Sequence, residues 1–323
     1  MPMERRAILV TDLVDSTKLT EELGDIQVAE LFAAHDRMAR DLLEKHDCRE
    51  IDKTDGFLLL FEDASRAADY AEDYHRGLAS LELQSRIGMH VAELVLWENS
   101  PADVARGAKP LEVEGIAKPI TARVMSIAQG GQTLATREAL DALGLQPQVR
   151  AGESEAGDSE RLAVGHGHWM LKGVREPMEL FEVGVRGEAP FSPPPDAAKA
   201  WRLVERDGAW VPAREIPHRL PRERDGFVGR EDALQRLGEA FDDGASLVSV
   251  LGMGGTGKTR LVTHFGWTWL GDWPGGVWFC DLSEARSEQD ITRAVASTLD
   301  VALGREPVVQ LGHAIAARGR CLV

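Results

Sequence analysis

Two aspartates stand where a carboxylate is costly unless a cation meets it. Asp12 ends an apolar run and heads a hydroxyl-rich turn in ILVTDLVDST, residues 8–17. Asp55 lies in a tight turn between strand-like runs in EIDKTDGFLLLF, residues 50–61. An ionised side chain at a buried strand end needs compensation, and two together suit a shared pair of metal ions. Hard ions such as Mg²⁺ or Mn²⁺ take oxygen ligands, so Asp12, Asp55 and the backbone carbonyl of Leu13 are the candidate metal set. Such ions lower the pKa of an attacking hydroxyl and spread charge on a triphosphate.

A second chemical signature lies at residues 252–259, GMGGTGKT, which fits G-x-x-x-x-G-K-[ST]. The apolar run 246–251 reads as a strand before it, and 259–264 as the helix it opens. In that context backbone N–H groups and a helix N-terminus cradle phosphates. Gly252, Gly254, Gly255 and Gly257 shape the loop. Lys258 is expected to reach the β- and γ-phosphates and Thr259 to hold Mg²⁺, with ATP and Mg²⁺ as the ligand.

The elements that must carry these groups follow from periodicity. An apolar strand is expected at 6–12 and a helix at 26–46. In that helix Val28, Leu31, Phe32, His35, Met38, Ala39, Leu42 and Leu43 share one face. Strands are expected at 57–61, 85–90 and 94–97, and Asp63 caps a helix running to about Arg76. A helix at 116–128, a strand at 132–135 and a helix from Thr136 to near Leu143 come next. Residues 146–165 are polar, acidic and glycine-rich and read as a mobile hairpin loop. Strands at 169–173 and 178–183 close this region. PFSPPPD at 190–196 reads as an extended, semi-rigid linker, followed by a small hairpin at 201–214 turning at Asp207 and Gly208. The expected organisation is α/β (α+β). It has one domain at 1–186, a proline-rich linker with a hairpin at 187–222, and a second domain at 223–323 that begins near Gly226.

Composition excludes several classes. The chain of 323 residues is 43% hydrophobic and 28% charged, as for a soluble globular protein of two domains. Its formal net charge of −16 argues against non-specific binding to nucleic acid or anionic membranes. No apolar run approaches a membrane span. Cys48, Cys280 and Cys321 are widely spaced and odd in number, as expected of reduced thiols in a cytoplasm. His166 and His168 have no ligand cluster at matching spacing and read as polar strand-edge residues. Trp267, Trp269, Trp273 and Trp278 read as core.

In this order the motifs resemble the class III nucleotidyl cyclase domain. The resemblance rests on both aspartate contexts, on Gly88-Met89-His90 after a strand and on the helix ending in Thr121-Ala122-Arg123. Leu171-Lys172-Gly173-Val174 and Glu179-Leu180-Phe181-Glu182-Val183 complete it. It covers most of residues 5–185 and implies a ferredoxin-like fold. It also implies two-metal cyclisation of ATP to cyclic AMP and pyrophosphate in a site shared by a homodimer. Arg123 matches the arginine that stabilises the transition-state phosphate, and Glu112 the carboxylate that reads the base. The ribose-orienting asparagine of the family is replaced by Pro119, with Lys118 and Thr121 as nearby candidates. The family's base-reading lysine position is Ile51. Lys53, two residues on, keeps the same strand face if alternation holds. It is then the substitute, or else a solvated lysine beside a turn.

FVGRE at 227–231, ahead of the phosphate loop, resembles the entry to signalling P-loop ATPases of the STAND type, in which nucleotide exchange is a switch. That resemblance implies an acidic Walker B strand. GRCLV at 319–323 reads as its start, so the second domain is expected to be truncated before Walker B. The leading expectation is a cytoplasmic adenylate cyclase governed by this switch. The alternative, favoured by Pro119 and Ile51, is a catalytically degenerate domain that dimerises and binds nucleotide. No helix-turn-helix segment or basic recognition helix points to direct nucleic-acid binding.

Overall fold

Apolar alternation through Ala7, Leu9 and Leu13 on one side and Ile8 and Val10 on the other builds β1 (Met3–Leu13), the strand that carries Asp12. The computed structural model describes residues 3–148, 161–206, 208–223, 227 and 229–323. It divides the chain into two compact units, Met1–Trp201 and Arg202–Val323. After β1 the first unit runs α1 (Ser16–Leu23), α2 (Asp25–Lys45), β2 (Arg49–Lys53), β3 (Phe57–Phe61), α3 (Ala64–Ala79) and β4 (Ser85–Glu98). It continues through α4 (Pro101–Val104), β5 (Leu111–Glu114), α5 (Ala117–Ile127), β6 (Thr133–Thr136), α6 (Arg137–Leu143), β7 (Arg161–Leu171) and β8 (Met178–Val185).

These strands form a mixed sheet in the order β7-β8-β6-β4-β1-β3-β2, with β5 on β4. Neighbours are antiparallel except β4 and β6. Side chains alternate across it. On one face Leu9, Phe57, Leu59, Phe61 and Met89 pack with Ala39 of α2, Tyr70 and Tyr74 of α3, and Leu140 of α6. On the other, Ile8, Ile51, Leu60, Leu94 and Val113 pack with Ala117 at the start of α5. Gly88 is what lets α5 lie on β4, since a Cβ there would stand 2.5 Å from the Thr121 carbonyl oxygen.

Asp63 accepts from the Arg66 amide and caps α3 as expected. The strands expected at 85–90 and 94–97 are one strand, because β1 pairs with β4 without interruption from Leu13↔Ser85 to Met3↔Val95. The hydroxyl-rich turn after Asp12 winds into α1, which was not expected. Thr136 precedes α6, yet its hydroxyl pairs with His90 Nδ1 at 2.8 Å instead of capping the helix. His166 is buried against Glu182, not a strand-edge residue. The linker run 190–196 is hydrogen-bonded to the first unit at Phe191, Ser192 and Pro193. Of the loop expected to be mobile at 146–165, residues 149–160 lie outside the described residues, as do Asp207, Gly226 and Val228, while 161–165 are not loop but the start of β7, paired with β8 from Arg161↔Val185.

β9 (Ala200–Arg206) spans the boundary between the units and pairs with β10 (Ala209–Pro212); the second unit continues with β11 (His218–Arg219), α7 (Glu231–Asp242) and α8 (Lys258–Thr268). β12 (Val277–Trp278), α9 (Glu288–Leu299) and α10 (Pro307–Ala316) follow. Its core joins Leu234, Leu237, Leu261, Phe265, Trp269, Trp273 and Val277. The strand expected at 246–251 does not form. β12 pairs instead with β11 and with Leu322, both in parallel. Val248 and Val250 still pack inward, while Leu247 and Leu251 are 83% and 91% exposed. Of residues 319–323 only Leu322 is bridged, and no strand forms there.

Among the described residues no helix is long and apolar enough to cross a membrane.

Candidate functional site

Close packing of a turn brings the two aspartates together. A Cβ on Gly56 would lie 1.9 Å from the Thr11 carbonyl oxygen, so the turn after β2 presses directly on β1. The Phe57 amide donates to Thr11 Oγ1 at 2.9 Å and the Thr54 amide to the Gly56 carbonyl at 2.9 Å. Asp55 is thereby held beside Asp12, and Ser16 Oγ at the start of α1 donates to its Oδ2 at 3.0 Å. Opposite Asp12 on β4 stands Arg86. Its Nε donates to Asp12 Oδ2 at 2.7 Å, and its Nη2 donates to the same oxygen.

The two carboxyls are driven apart in acidity. Burial raises the Asp12 pKa above the ordinary carboxylate value; Arg86 opposes the shift, and the Asp55 charge adds to it. Burial also works against ionised Asp55. There the hydrogen bonds from Ser16, the backbone and Thr54 outweigh it and leave the pKa lowered. Such a split belongs to a pair in which one member is ionised and the other accepts a cation or a proton readily. All donors are hard oxygens, which fits Mg²⁺ or Mn²⁺. Among the described residues no group of three or more His, Cys, Asp or Glu stands together as a ligand cluster. The side chains therefore fit an ion that completes its shell with substrate oxygens and water, not a closed protein cage. Leu13, which ends β1, is buried. Ser16, Thr17, Thr20, Asp25, Phe32 and Asp55 line a shallow cleft on the Asp55 side. α1 opens there with no side-chain cap, leaving its first amides available to an anion.

Lys53 is not on this face. β2 pairs with β3 as Glu50↔Leu59, then Asp52↔Leu58 and Lys53↔Phe57, with a bulge at Ile51. A bulge adds one residue and breaks the alternation of period two. Ile51 and Asp52 both fall on the face of Leu58 and Leu60, while Lys53 falls on that of Phe57. There Lys53 Nζ pairs with Asp36 Oδ2 of α2 at 2.9 Å. Asp52 takes the position expected for Lys53 and pairs with Lys109 Nζ at 2.5 Å. Glu112 is half-buried on β5 and accepts from Asn99 Nδ2 at 3.3 Å; the same amide donates to the Lys109 carbonyl at 2.8 Å. The structure thus groups Glu112 with Lys109 and Asp52, and leaves Lys53 out.

Arg123 lies on α5, half-buried, with Nη1 donating to the Pro119 carbonyl at 2.8 Å. Its Nε is buried without a partner, and a Cβ on Gly173 would stand 3.8 Å from its Nη2. No hydrogen bond or ion pair joins it to Asp12 or Asp55 within the chain. Pro119 sits in the first turn of α5, where a missing N–H costs nothing. Thr121 is fully buried and its hydroxyl donates to the Ala117 carbonyl, so it is not available to a ribose.

In the second unit Gly257 precedes α8 with φ +78°, in the left-handed region that a side chain resists. Lys258 Nζ folds back onto the Gly252 and Met253 carbonyls at 3.0 and 2.8 Å. Thr259 is exposed, as are Gly252, Gly254 and Gly255. The loop therefore has the turn and helix start that its motif requires, but not the preceding strand.

Sequence reasoning missed Arg86, Asp52 and Lys109. Arg86 meets Asp12 only through the β1–β4 register, and Asp52 gains its face only through the bulge.

No protein-family model matches the chain, and no curated protein does. Solved structures similar to it are cyclases. The adenylyl cyclase CyaB from P. aeruginosa is 14% identical over 58% of this chain and 97% of its own, with a TM-score of 0.49. An adenylate cyclase from Trypanosoma brucei in its monomeric state is 18% identical over 61% and 92%, at 0.47. The guanylyl cyclase Cya2 is 22% identical over 58% and 95%, at 0.45.

Proposed function

We propose that the first unit is a nucleotidyl cyclase domain that converts ATP to cyclic AMP and pyrophosphate, its site completed by a second copy of the chain. The observation that carries this is the Asp12–Asp55 pair, pressed together by Gly56 and split in acidity beside an open helix start. When bound, two divalent ions would lower the pKa of the ribose 3′-hydroxyl and neutralise the triphosphate. Asp12, Asp55 and the Leu13 carbonyl would hold them, and the α1 amides would receive phosphate oxygens. The 3′-oxygen bonds to the α-phosphorus as the bond to pyrophosphate breaks, and the hydroxyl proton leaves to solvent. Arg123 contacts neither aspartate in its own chain, which supports a role on the phosphate of a partner's site. Asp52 and Lys109, with Glu112 tied in by Asn99, take the base-reading place for which strand alternation offered Lys53 as the substitute. In the second unit residues 252–259 bind ATP with Mg²⁺ as a regulatory switch in a cytoplasmic signalling protein.

Incubation of the purified chain with Mn²⁺ and ATP, followed by chromatography for cyclic AMP, tests this. Asp12→Ala and Asp55→Ala are each expected to abolish product, and Asp52→Asn to change the ATP-to-GTP preference about tenfold. Lys258→Ala is expected to remove ATP binding by the second unit while chemistry in the first persists. One set of observations favours a second reading: Ile51 is buried and apolar, Pro119 offers no donor and Thr121 is occupied. Nucleotide binding by a dimer that yields no product would establish a degenerate, dimerising module instead.

A further inference from the structure

The segment that leaves the first unit is tied to α3, to β8 and to the residues just past the end of α5. Glu188 forms a paired ion bridge with Arg76 of α3 at 2.8 and 3.2 Å. Glu182 of β8 is wholly buried; its Oε1 accepts from the Phe191 amide at 2.7 Å and its Oε2 from Gln132 Nε2 at 2.6 Å. His166 Nε2 lies 3.3 Å from that second oxygen. Gln132, also wholly buried, donates to the Ser192 carbonyl at 2.6 Å and accepts the Gln129 amide at 2.8 Å, just past the end of α5. Gln129 Nε2 reaches the Pro193 carbonyl at 3.0 Å. Further on, the Lys199 carbonyl accepts the Lys172 amide at 2.8 Å, next to Gly173, which lies against Arg123. Ala197 and Ala200 join the cluster built on Ile120, Val124 and Ile127 of α5.

A fully buried carboxylate is retained only where its hydrogen bonds are met. Here Gln132 meets one oxygen and the chain's exit segment meets the other through the Phe191 amide, where Phe191 adopts a left-handed φ of +47°. A passive spacer needs none of this.

We propose that residues 188–200 are a strap that sets the position of α5, and with it Arg123. Gln132 and Glu182 form its latch, and Arg123 is the residue it positions. The role of Arg123 rests on the cyclase reading; the mechanical coupling does not.

Amide hydrogen exchange on the full chain tests it. Gln132→Ala is expected to speed exchange of the Phe191 amide about tenfold and to speed exchange at Arg123 through Ile127 as well. Amides of α2 and α3, across the sheet, are expected to keep their rates. Gln129→Ala, an exposed change that spares the buried carboxylate, is expected to act in the same direction if Gln132→Ala fails to fold. A strap that loosens while α5 stays protected would overturn the proposal, as would uniform loosening of the whole unit or no change at either place. Cyclic AMP formation measured alongside keeps the two ideas separate: coupled exchange without product leaves the strap standing and removes the cyclase.

Discussion

Asp12 is held by a competition between a cation already present and one it is suited to take. Its carboxylate is largely buried, paired with Arg86 and faced by Asp55, so neither full ionisation nor neutrality is comfortable. Removing the guanidinium removes the internal competitor. Arg86→Ala is expected to tighten Mn²⁺ binding about tenfold, the order of one charge-assisted hydrogen bond, measured by electron paramagnetic resonance titration. Weaker binding would show that Arg86 supports the ion instead. Gly56 works by size alone. Gly56→Ala must push the turn off β1, at a cost of about 3 kcal/mol from overpacking, and Mn²⁺ binding should be lost along with stability in denaturant unfolding. Both aspartates were legible in the sequence because their local contexts are contiguous. Arg86 was not, since it lies 74 residues along the chain from Asp12.

At the scale of elements, one extra residue in β2 decides which side chains face the site. Alternation alone places Lys53 with Asp12; the bulge at Ile51 puts Asp52 there and turns Lys53 towards α2. Lys53→Ala is therefore expected to act on stability and not on base choice. Losing its half-buried pair with Asp36 should cost about 1 kcal/mol in urea unfolding, with the ATP-to-GTP ratio of products unchanged. A changed ratio would return Lys53 to the site. Many helix and strand positions were readable, down to β3 at Phe57–Phe61 and the Asp63 cap, because apolar period and caps are written locally, whereas α1, β5 and the first half of β7 were missed. The exception in the second unit, 246–251, shows the limit. An apolar run needs a partner to become a strand, and β12 is paired elsewhere.

At the scale of the molecule, buried histidines tie folding to pH. His35 is 1% exposed; burial lowers its pKa, with Asp36 opposing, while Tyr74 OH lies 2.7 Å from its Nε2. His90, also buried, is lowered for the same reason. A histidine whose folded pKa is depressed binds its proton more readily when unfolded. Stability is thus complete above the unfolded value near 6.5 and declines as pH falls from there towards the folded pKa. Denaturant midpoints are expected to drop across that window, and His35→Gln should flatten the drop while costing about 1 kcal/mol at neutral pH from its buried hydrogen bond. An unchanged slope in the variant would assign the acid sensitivity to other groups.

What could be read without coordinates was what neighbouring residues determine: many of the strands and helices, the two aspartate turns, the glycine-rich loop at 252–259 and the break in composition near the prolines. What needed the tertiary structure was every pairing across distance. Strand register set Arg86 against Asp12, a bulge exchanged Lys53 for Asp52, and a buried glutamate turned an expected spacer into a strap over α5. Propensity and periodicity act over a few residues. Register, burial and charge partners are settled only when segments far apart in the chain compete for the same face of one sheet.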